Sequence, residues 1–266
     1  MLRFCSLASG SSGNATLIEA TDGKTARPTR LLVDCGLSLR QIEQRLWAAG
    51  CGIDDLDALF ITHEHADHLG SALRLAARAR VPVWASRGTW DAALAGADDV
   101  TRRAIAPLMC IARDQTPIAI GALCVQPFAV PHDTREPLQL RVGEGARWLG
   151  ILTDLGHVTP HAIDMLRGCQ ALLLESNHDP ELLERSRYPA FLKRRILGPN
   201  GHLSNAQALE ALAQLMHPGL TTVVAAHLSE RNNQPERVQA GWAPVLGCAP
   251  RDVRVASRHG LGWMGV

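Results

Sequence analysis

The sequence predicts a layered α/β fold, and two patterns carry that prediction. Short apolar runs rich in Val, Ile, Leu and Thr alternate along the chain with stretches of helical periodicity. Several of these runs are followed at once by titratable side chains, as is typical of α/β proteins that build sites at strand ends. The 266 residues show no repeat, low-complexity tract or obvious linker, so we expect one domain spanning residues 1–266.

Nine segments are predicted strands, because apolar and β-branched residues fill them and Gly, Pro or Asp bounds them. In chain order they are residues 16–20, 30–36, 57–63, 81–86, 123–130, 148–154, 171–176, 221–229 and 252–257. Helices are predicted at 39–50, 70–80, 159–168 and 204–219. The last has the clearest limits, because Ser204 and Gln207 have the spacing of a capping box and Pro218-Gly219 ends the run.

Composition narrows the class of protein. A hydrophobic content of 46% and a charged content of 20% are ordinary for a globular protein. The net charge of +1 gives no overall basic field, although a local patch could still bind nucleic acid. No apolar run approaches the roughly 20 residues of a membrane helix, and the N-terminal apolar stretch is too short for a signal peptide. Without such a run we expect no membrane partner. Seven scattered cysteines without a C-x-x-C pair favour reduced thiols and a cytoplasmic location.

The strongest functional signal is "HEHADH", which contains His63, His65, Asp67 and His68 at the end of a predicted strand. Three imidazoles gain nothing in a solvated loop, and burying them without partners is costly, so the segment predicts metal binding. In an extended turn, residues 63, 65 and 67 would alternate sides and residue 68 would begin the next element. Two ligand groups could then face two neighbouring ions. Imidazole and carboxylate suit zinc, manganese or iron better than calcium.

Three further candidate ligands follow other predicted strands: His132, Asp154 and His227. A single strand-end histidine is more often an ordinary polar residue than a ligand, so the prediction depends on these residues meeting the 63–68 segment. Two ions about 3.5–4 Å apart could share a hydroxide and one carboxylate. Asp154 is the natural bridging candidate because it stands alone at its strand end.

These motifs resemble those of the metallo-β-lactamase-fold hydrolases, whose ligand order is met here by "HEHADH", "VPHD", "LTDLG" and "AAHLS". The resemblance covers essentially the whole chain and implies a four-layer αββα sandwich with a dinuclear site at one edge. It implies that one ion is bound by His63, His65 and His132, that the other is bound by Asp67, His68 and His227, and that Asp154 bridges them. Asp34 matches an aspartate that supports the site without ligating metal. The implied cofactor is two divalent ions, with zinc favoured over manganese or iron.

Finer motifs, including "FCSLASGSSGNATLIE", "LLLESNHD", "RRILGPNGHLSN" and "AHLSERNNQPE", look like the YycJ/WalJ group of exonuclease-like phosphodiesterases. The leading hypothesis is therefore hydrolysis of nucleic acid, DNA or RNA, by a hydroxide that bridges two metal ions. A small-molecule hydrolase of the same fold (a cyclic-phosphate diesterase, thioesterase or lactonase) is the alternative. A non-catalytic metal-stabilised module is disfavoured because all seven presumed ligands are present. The residues specify no oligomeric state.

Two stretches also resemble ribonucleases Z and J: "LLLES", which places Glu175, and "GHLSN", which places His202. In those enzymes such an acid–histidine pair helps to protonate the leaving oxygen. We therefore hypothesise that Asp67, Glu175 and His202 are the catalytic residues and that His202, tuned by Glu175, is the general acid. Glu175 could equally anchor a ligand histidine. Because these 266 residues show no long arm like that of ribonuclease Z and are too few for the extra domains of ribonuclease J, we expect neither tRNA 3′ processing nor the ribonuclease J reaction. Candidate substrate contacts are Asn177, His178, Ser229, Arg231 and Asn232.

Two remaining segments have both a functional and an ordinary interpretation. The basic segment 182–198 suits a polyanion backbone, or it is simply a solvated surface. Tyr188 within it could stack on a base or serve in packing. "GSSGN" at residues 10–14 is interpreted chiefly as a tight hairpin, although its backbone could also face a phosphate.

Overall fold

The computed structural model describes residues 1–21 and 27–266, in which two seven-stranded sheets pack face to face between outer helices. The strands are β1 (Leu2–Ala8), β2 (Ala15–Ala20), β3 (Thr29–Val33), β4 (Ala58–Phe60), β5 (Val83–Ala85), β6 (Met109–Ile111), β7 (Ile118–Ile120), β8 (Leu123–Ala129), β9 (Leu138–Gly143), β10 (Trp148–Leu152), β11 (Ala171–Glu175), β12 (Thr222–Ala226), β13 (Arg254–Val255) and β14 (Leu261–Gly265). The helices are α1 (Leu39–Ala48), α2 (Ala66–Leu69), α3 (Ala72–Ala79), α4 (Arg87–Ala95), α5 (Asp99–Ile105), α6 (Pro160–Leu166), α7 (Pro180–Arg185), α8 (Ala190–Leu197), α9 (Asn205–Leu215) and α10 (Pro235–Leu246). None of the helices in these ranges is long and apolar enough to cross a membrane.

The order of the strands brings the sequence-predicted site together. The first sheet runs β14-β1-β2-β3-β4-β5-β6 and the second runs β13-β12-β11-β10-β9-β8-β7. Strands β3 to β6 are parallel in the first sheet, and β10 to β13 are parallel in the second. Parallel neighbours end at the same edge, so the loops after β3, β4, β10, β11 and β12 gather at one edge of the sandwich.

Three apolar layers hold the sheets and helices together. In β3, Leu31 and Val33 face the layer between the sheets, whereas Leu32 faces the outer layer. In β11, Leu173 faces the other sheet and Leu172 faces the helices on its own side. Both faces of these strands are therefore buried, which explains why they read as continuous apolar runs rather than as alternating ones. The predicted αββα sandwich is confirmed.

Helices close the two outer layers. Ile42 and Leu46 of α1 pack in the outer layer of the first sheet, and Leu212 of α9 and Trp242 of α10 pack in that of the second. The capping box predicted at the start of α9 is present, because the hydroxyl of Ser204 accepts a hydrogen bond from the backbone of the third helical residue.

The N-terminal hairpin interpretation is also confirmed. Strands β1 and β2 pair antiparallel across the glycine-rich turn, where Gly10 and Gly13 have φ angles of 122° and 146°. A Cβ on Gly13 would lie 2.8 Å from the carbonyl oxygen of Gly36, so no other residue fits without moving that loop.

The predicted elements are present, but others were missed. Each of the nine predicted strands and four predicted helices overlaps an observed element; eleven of these elements lie within the predicted limits, whereas β2 and β3 begin one residue earlier, at Ala15 and Thr29. Within the described ranges, the missed elements are β1, β6, β7, β9, β14, α2, α4, α5, α7, α8 and α10. Several are only three or four residues long, too short to show a period. The extended turn predicted through residue 67 is wrong beyond His65, because α2 begins at Ala66.

Candidate metal centre

The candidate ligands all lie at the edge where the parallel strands end. His63 follows β4, Asp154 follows β10 and His227 follows β12. Asp154 and His227 adopt left-handed backbone conformations with φ of 58° and 53°, and Asp34 after β3 does so with φ of 60°. Left-handed backbone is unfavourable for residues with a Cβ and persists where the surroundings require it, commonly at functional sites. At these three positions the chain turns sharply to aim a side chain into the edge.

His63, His65 and His132 form a compact group, which we term the three-histidine group. His65 Nδ1 lies 3.2 Å from His63 Nε2 and 3.2 Å from His132 Nε2, so three ring nitrogens converge. In His63 and His132, the other ring nitrogen contacts a group outside this cluster. His63 Nδ1 lies 3.0 Å from the Thr62 hydroxyl, and His132 Nδ1 donates to the Gly201 carbonyl at 3.1 Å. Such outer partners fix the ring orientation and the nitrogen that is free to ligate.

Asp67, His68 and His227 form a second group, which we term the mixed group. Asp67 Oδ2 lies 3.7 Å from His68 Nε2 and 3.5 Å from His227 Nε2. Asp154 lies between the two groups. One of its oxygens is 3.1 Å from His68 Nε2, and the other is 3.4 Å from His227 Nε2 and 3.9 Å from His132 Nε2. The geometry thus brings together all seven residues predicted as ligands.

Two buried carboxylates orient the mixed group from outside. Asp34 Oδ2 lies 2.8 Å from His68 Nδ1, and its other oxygen accepts a hydrogen bond from the Thr62 backbone at 2.9 Å. Glu175 Oε1 lies 3.1 Å from His227 Nδ1. Each ring therefore has one nitrogen turned to a carboxylate and the other turned to the centre. Asp34 occupies the supporting position that the resemblance implies.

Burial and neighbouring charges shift the pKa values of the histidines and carboxylates in this centre. Burial, reinforced by the charge of His68, holds the pKa of His63 well below its usual value. Burial alone would also lower the pKa of His68, but the carboxylates of Asp154 and Asp34 raise it well above the usual value. Burial would raise the pKa of Asp154, yet the neighbouring His227 and His68 hold it well below its usual range. Imidazoles and carboxylates thus shift one another's pKa in opposite directions, and a bound cation would compensate the same carboxylates.

Two buried atoms test whether these residues fit metal ions. Asp154 Oδ2 and His227 Nε2 are inaccessible to solvent, and although they lie 3.1 Å from His68 Nε2 and 3.4 Å from Asp154 Oδ1 respectively, neither contact has hydrogen-bond geometry, and neither atom makes another hydrogen bond within the described part of the chain. Such orphaned polar atoms are costly in a protein interior unless a ligand satisfies them. Both point into clusters of imidazole and carboxylate, and this donor set suits zinc and similar transition ions. The residues therefore fit divalent metal ions.

His202 and Glu175, the predicted acid–histidine pair, also meet at this edge. The Glu175 carboxylate is fully buried, and its Oε1 lies 2.9 Å from His202 Nδ1. Its Oε2 accepts a hydrogen bond from the Leu203 backbone at 2.9 Å. Burial alone would raise the pKa of Glu175, but His202 and His227 lower it to about 2. Glu175 therefore touches both histidines, so the two roles weighed from the sequence are compatible.

A cavity of about 320 Å³ opens over the centre. Its lining consists of Ser11, His65, Ala66, Asp67, Asp133, Asp154, Asn177, Tyr188, Leu192, Arg195, Ile196, Gly201, His202, His227 and Ser229. A substrate in this cavity would contact Asp67 and His202 directly. It could not reach Glu175, which is sealed behind the histidines.

The five predicted substrate contacts divide into three situations. Asn177 and Ser229 line the cavity, and Asn177 Nδ2 donates to the His227 carbonyl at 2.9 Å. Arg231 is exposed beside the cavity, with its guanidinium carbon 6.0 Å from the centre of the Tyr188 ring. His178 and Asn232 are buried away from the cavity. Neither lines the cavity: the backbone of His178 pairs with that of Ser204 at the start of α9, and Asn232 donates to the Ser229 hydroxyl.

Sequence reasoning missed two residues that meet the three-histidine group from outside. Asp133 Oδ1 lies 3.4 Å from His65 Nε2, and Arg195 Nε donates to the other oxygen of Asp133. Arg195 Nη2 also lies 3.2 Å from His65 Nε2. Asp133 directly follows His132, which was a usable signal. Arg195 appeared only as one member of a basic segment, because no spacing links it to residues so distant in the chain.

The layered fold and the histidine–carboxylate edge define the class of protein: a metal-dependent hydrolase of the metallo-β-lactamase fold. The family model described as "Beta-lactamase superfamily domain" matches residues 29–236. The chain belongs to this superfamily.

Curated relatives place the chain more narrowly. It is 35% identical over 247 residues to "Exodeoxyribonuclease YycJ" of Bacillus anthracis, across 92% of this chain and 89% of that protein. It is 33% identical over 238 residues to "Exodeoxyribonuclease WalJ" of Streptococcus pneumoniae, across 88% and 84% of the two chains. The chain therefore belongs to the family of YycJ and WalJ, and the resemblance inferred from its motifs is confirmed.

Solved structures confirm the fold independently. The metallo-β-lactamase fold protein YhfI from Bacillus subtilis aligns with a TM-score of 0.71 at 14% identity, over 99% of this chain and 98% of that one. Zinc-bound PqqB from Methylobacterium extorquens aligns with a TM-score of 0.70 at 16% identity, over 99% and 100%. These likenesses concern the fold alone.

Proposed function

We propose that this protein is a dinuclear phosphodiesterase that removes nucleotides from the ends of nucleic acid. The observation that carries the proposal is the position of Asp154 between the three-histidine group and the mixed group, beside the His202–Glu175 pair. Two metal positions that share a carboxylate suit in-line displacement at phosphorus. The names of YycJ and WalJ support nucleic acid as the substrate.

The residues present divide the work of this reaction. The three-histidine group would hold one ion, the mixed group would hold the other, and Asp154 would serve both. When bound, two divalent ions lower the pKa of water and neutralise phosphoryl oxygens. The bound zinc of PqqB supports zinc as one suitable metal. Asn177 and Ser229 line the same cavity and would orient the phosphodiester.

His202 is suited to protonate the leaving oxygen. Its Nδ1 is turned to Glu175, so its Nε2 is the nitrogen left to hold and release a proton. A nucleoside alkoxide is a poor leaving group, and general-acid catalysis contributes roughly 10²–10⁴ in rate. Glu175 acts through His202 and His227 rather than on the substrate, because it is sealed from the cavity. Glu175 is thus a positioning residue.

A direct assay tests the proposal. The purified protein is freed of metal with a chelator, reloaded with zinc, manganese or iron, and incubated with end-labelled single- and double-stranded DNA and RNA. We expect activity only after reloading and a ladder of products shortening from one end. An Asp154→Asn variant should be inactive with every metal. Absence of cleavage of all four substrates by the reloaded protein would overturn the proposal.

A small-molecule hydrolase is the second candidate, favoured by the modest cavity volume of about 320 Å³. This second function predicts hydrolysis of a cyclic phosphate, thioester or lactone and no cleavage of nucleic acid. The same preparations, assayed on these compounds in parallel, separate the two candidates.

A further inference from the structure

One wall of the cavity differs from the rest. Most of its lining is polar or charged, but Tyr188, Leu192 and Ile196 form an adjacent apolar face. All three come from one segment, residues 188–196, which includes most of α8. We term this face the apolar wall. It lies beside the metal centre, so a molecule bound by its phosphate would also meet this surface.

Helix α8 is not a core helix. None of its residues is buried, and Phe191 and Leu197 are 67% and 60% exposed. A helix that buries no face gains little from packing, so its position depends on specific contacts. Two of these contacts join α8 to residues that line the cavity. Arg195 donates to Asp133, and the Ile196 carbonyl accepts a hydrogen bond from the His202 backbone at 3.0 Å.

Tyr188 is the one tyrosine of the chain and the one phenyl or indole ring in the cavity lining. Its side chain is partly exposed, and its hydroxyl makes no hydrogen bond within residues 1–21 and 27–266. A tyrosine used for core packing is ordinarily buried with its hydroxyl satisfied. This ring instead presents an accessible surface to the cavity that also contains Asp67, Asp154 and His227, and the Arg231 guanidinium lies 6.0 Å from its centroid.

The surface around the apolar wall is basic. Residues 180–200 include Arg185, Arg187, Lys193, Arg194 and Arg195 against only two acidic residues. Arg185, Arg187 and Arg194 are exposed. The overall net charge of the protein is +1, so this concentration is local and suits a polyanion backbone that approaches the cavity.

We propose that the apolar wall binds the base of the nucleotide whose phosphate lies at the metal centre, with Tyr188 stacking on that base. The inference rests on the proposed phosphodiesterase activity and adds its substrate class: a nucleotide with an unstacked base, rather than any phosphodiester. Stacking on an aromatic ring is tolerant of base identity because every base has a π-face. The wall therefore confers a requirement for a base but not for a sequence.

Two substrates with the same leaving group test the proposal: thymidine 5′-(p-nitrophenyl phosphate) and methyl p-nitrophenyl phosphate. We expect the metal-loaded protein to prefer the thymidine ester. Tyr188→Ala should lower kcat/KM for the thymidine ester on the order of 5- to 100-fold and leave that for the methyl ester unchanged. Tyr188→Phe should keep the preference. Phe191→Ala is the matched control, because it removes an exposed ring from the same segment outside the cavity lining.

Inhibition gives a second measurement that does not depend on the turnover of a base-bearing substrate. Thymidine 5′-monophosphate should inhibit hydrolysis of the methyl ester more strongly than methyl phosphate does, and Tyr188→Ala should abolish the difference. Unchanged far-UV circular dichroism and Tm establish that this variant folds; if it does not, Tyr188→Leu replaces it in both measurements.

The outcomes separate this inference from the proposed function. Equal hydrolysis of both esters, or an equal loss on both in Tyr188→Ala, would overturn base binding and leave the phosphodiesterase intact. No hydrolysis of either ester or of nucleic acid would overturn the phosphodiesterase, and base binding with it.

Discussion

At the scale of the residue, one carboxylate joins two parts of the site. Glu175 Oε1 is shared by His202 Nδ1 at 2.9 Å and His227 Nδ1 at 3.1 Å, and it also accepts from the Asp154 backbone at 3.2 Å. The same atom thus orients a proposed ligand, a proposed general acid and the loop of the proposed bridging residue. Its low pKa, about 2, keeps it an acceptor across the physiological range, where both imidazoles can donate to it.

Glu175→Gln should weaken metal binding by roughly 10–100-fold, because an amide oxygen is a weaker acceptor and its NH₂ group would face a donor, either the Leu203 backbone N–H or the two ring nitrogens. Competition against a chromophoric chelator measures this affinity. Glu210→Gln on the exposed side of α9 is the control and should bind metal like the unmodified protein. Equal affinities for the two variants would show that Glu175 does not support a metal ligand.

His202→Ala separates acid catalysis from binding. With a dinucleotide, whose leaving group needs a proton, kcat should fall about 10²–10⁴-fold. With a p-nitrophenyl ester, whose leaving group needs none, kcat should change little. Steady-state kinetics on both substrates decide the point: the same loss on both would assign His202 to binding or structure instead.

At the scale of the element, each strand end delivers one part of the site, and the helices fix those ends in place. Residues 201–203 lie between α8 and α9 and carry His202, while the Gly201 carbonyl holds His132. The start of α9 is secured by Ser204, whose hydroxyl caps the backbone of Gln207. Local helix chemistry therefore bears on the position of a proposed catalytic side chain.

Ser204→Ala should lower the free energy of unfolding by about 0.5–2 kcal/mol through loss of this cap. Ser38→Ala is its counterpart, because Ser38 caps α1 with the same capping-box geometry and lies outside the cavity lining. Urea titration should find similar losses of stability. Only Ser204→Ala should also reduce turnover of the dinucleotide. Equal turnover in both variants would mean that the α9 cap does not position His202.

At the scale of the whole molecule, the site depends on both sheets. The three-histidine group takes His63 from the first sheet and His132 from the second, and the mixed group takes His68 and His227 likewise. The layer between the sheets is what holds these halves at ligand distance. We propose that the chain is one domain that unfolds as a unit, because neither half contains a complete ligand group.

A Leu140→Ala variant tests whether the two sheets unfold together. Leu140 is fully buried between the sheets, so its truncation should cost about 2–5 kcal/mol. Tryptophan fluorescence and far-UV circular dichroism should report coincident, equally shifted transitions in urea. Leu197→Ala, which truncates an exposed leucine, should shift neither transition measurably. Separate transitions for the two probes would show that the chain does not unfold as one cooperative unit.

Much of this architecture was accessible from the sequence because its signals are local. The strand runs around Leu31 and Leu173 and the capping box at Ser204 each occupy a few consecutive residues. The composition of the H-x-H-x-D-H segment predicted metal binding, because closely spaced imidazoles and carboxylates have few other uses. The order of His132, Asp154 and His227 along the chain then matched the ligand order of the metallo-β-lactamase-fold hydrolases, and membership of that superfamily implies the fold.

The sequence by itself determined which residues could carry the chemistry and which elements would present them. Only the tertiary structure decided that Glu175 serves two histidines, that Arg195 meets Asp133 across 62 residues of chain, and that His178 lies buried rather than in the cavity. The physical reason is that ligand type and periodicity are properties of neighbouring residues. Shared hydrogen bonds and burial instead depend on how distant loops pack, and no spacing in the chain encodes that packing.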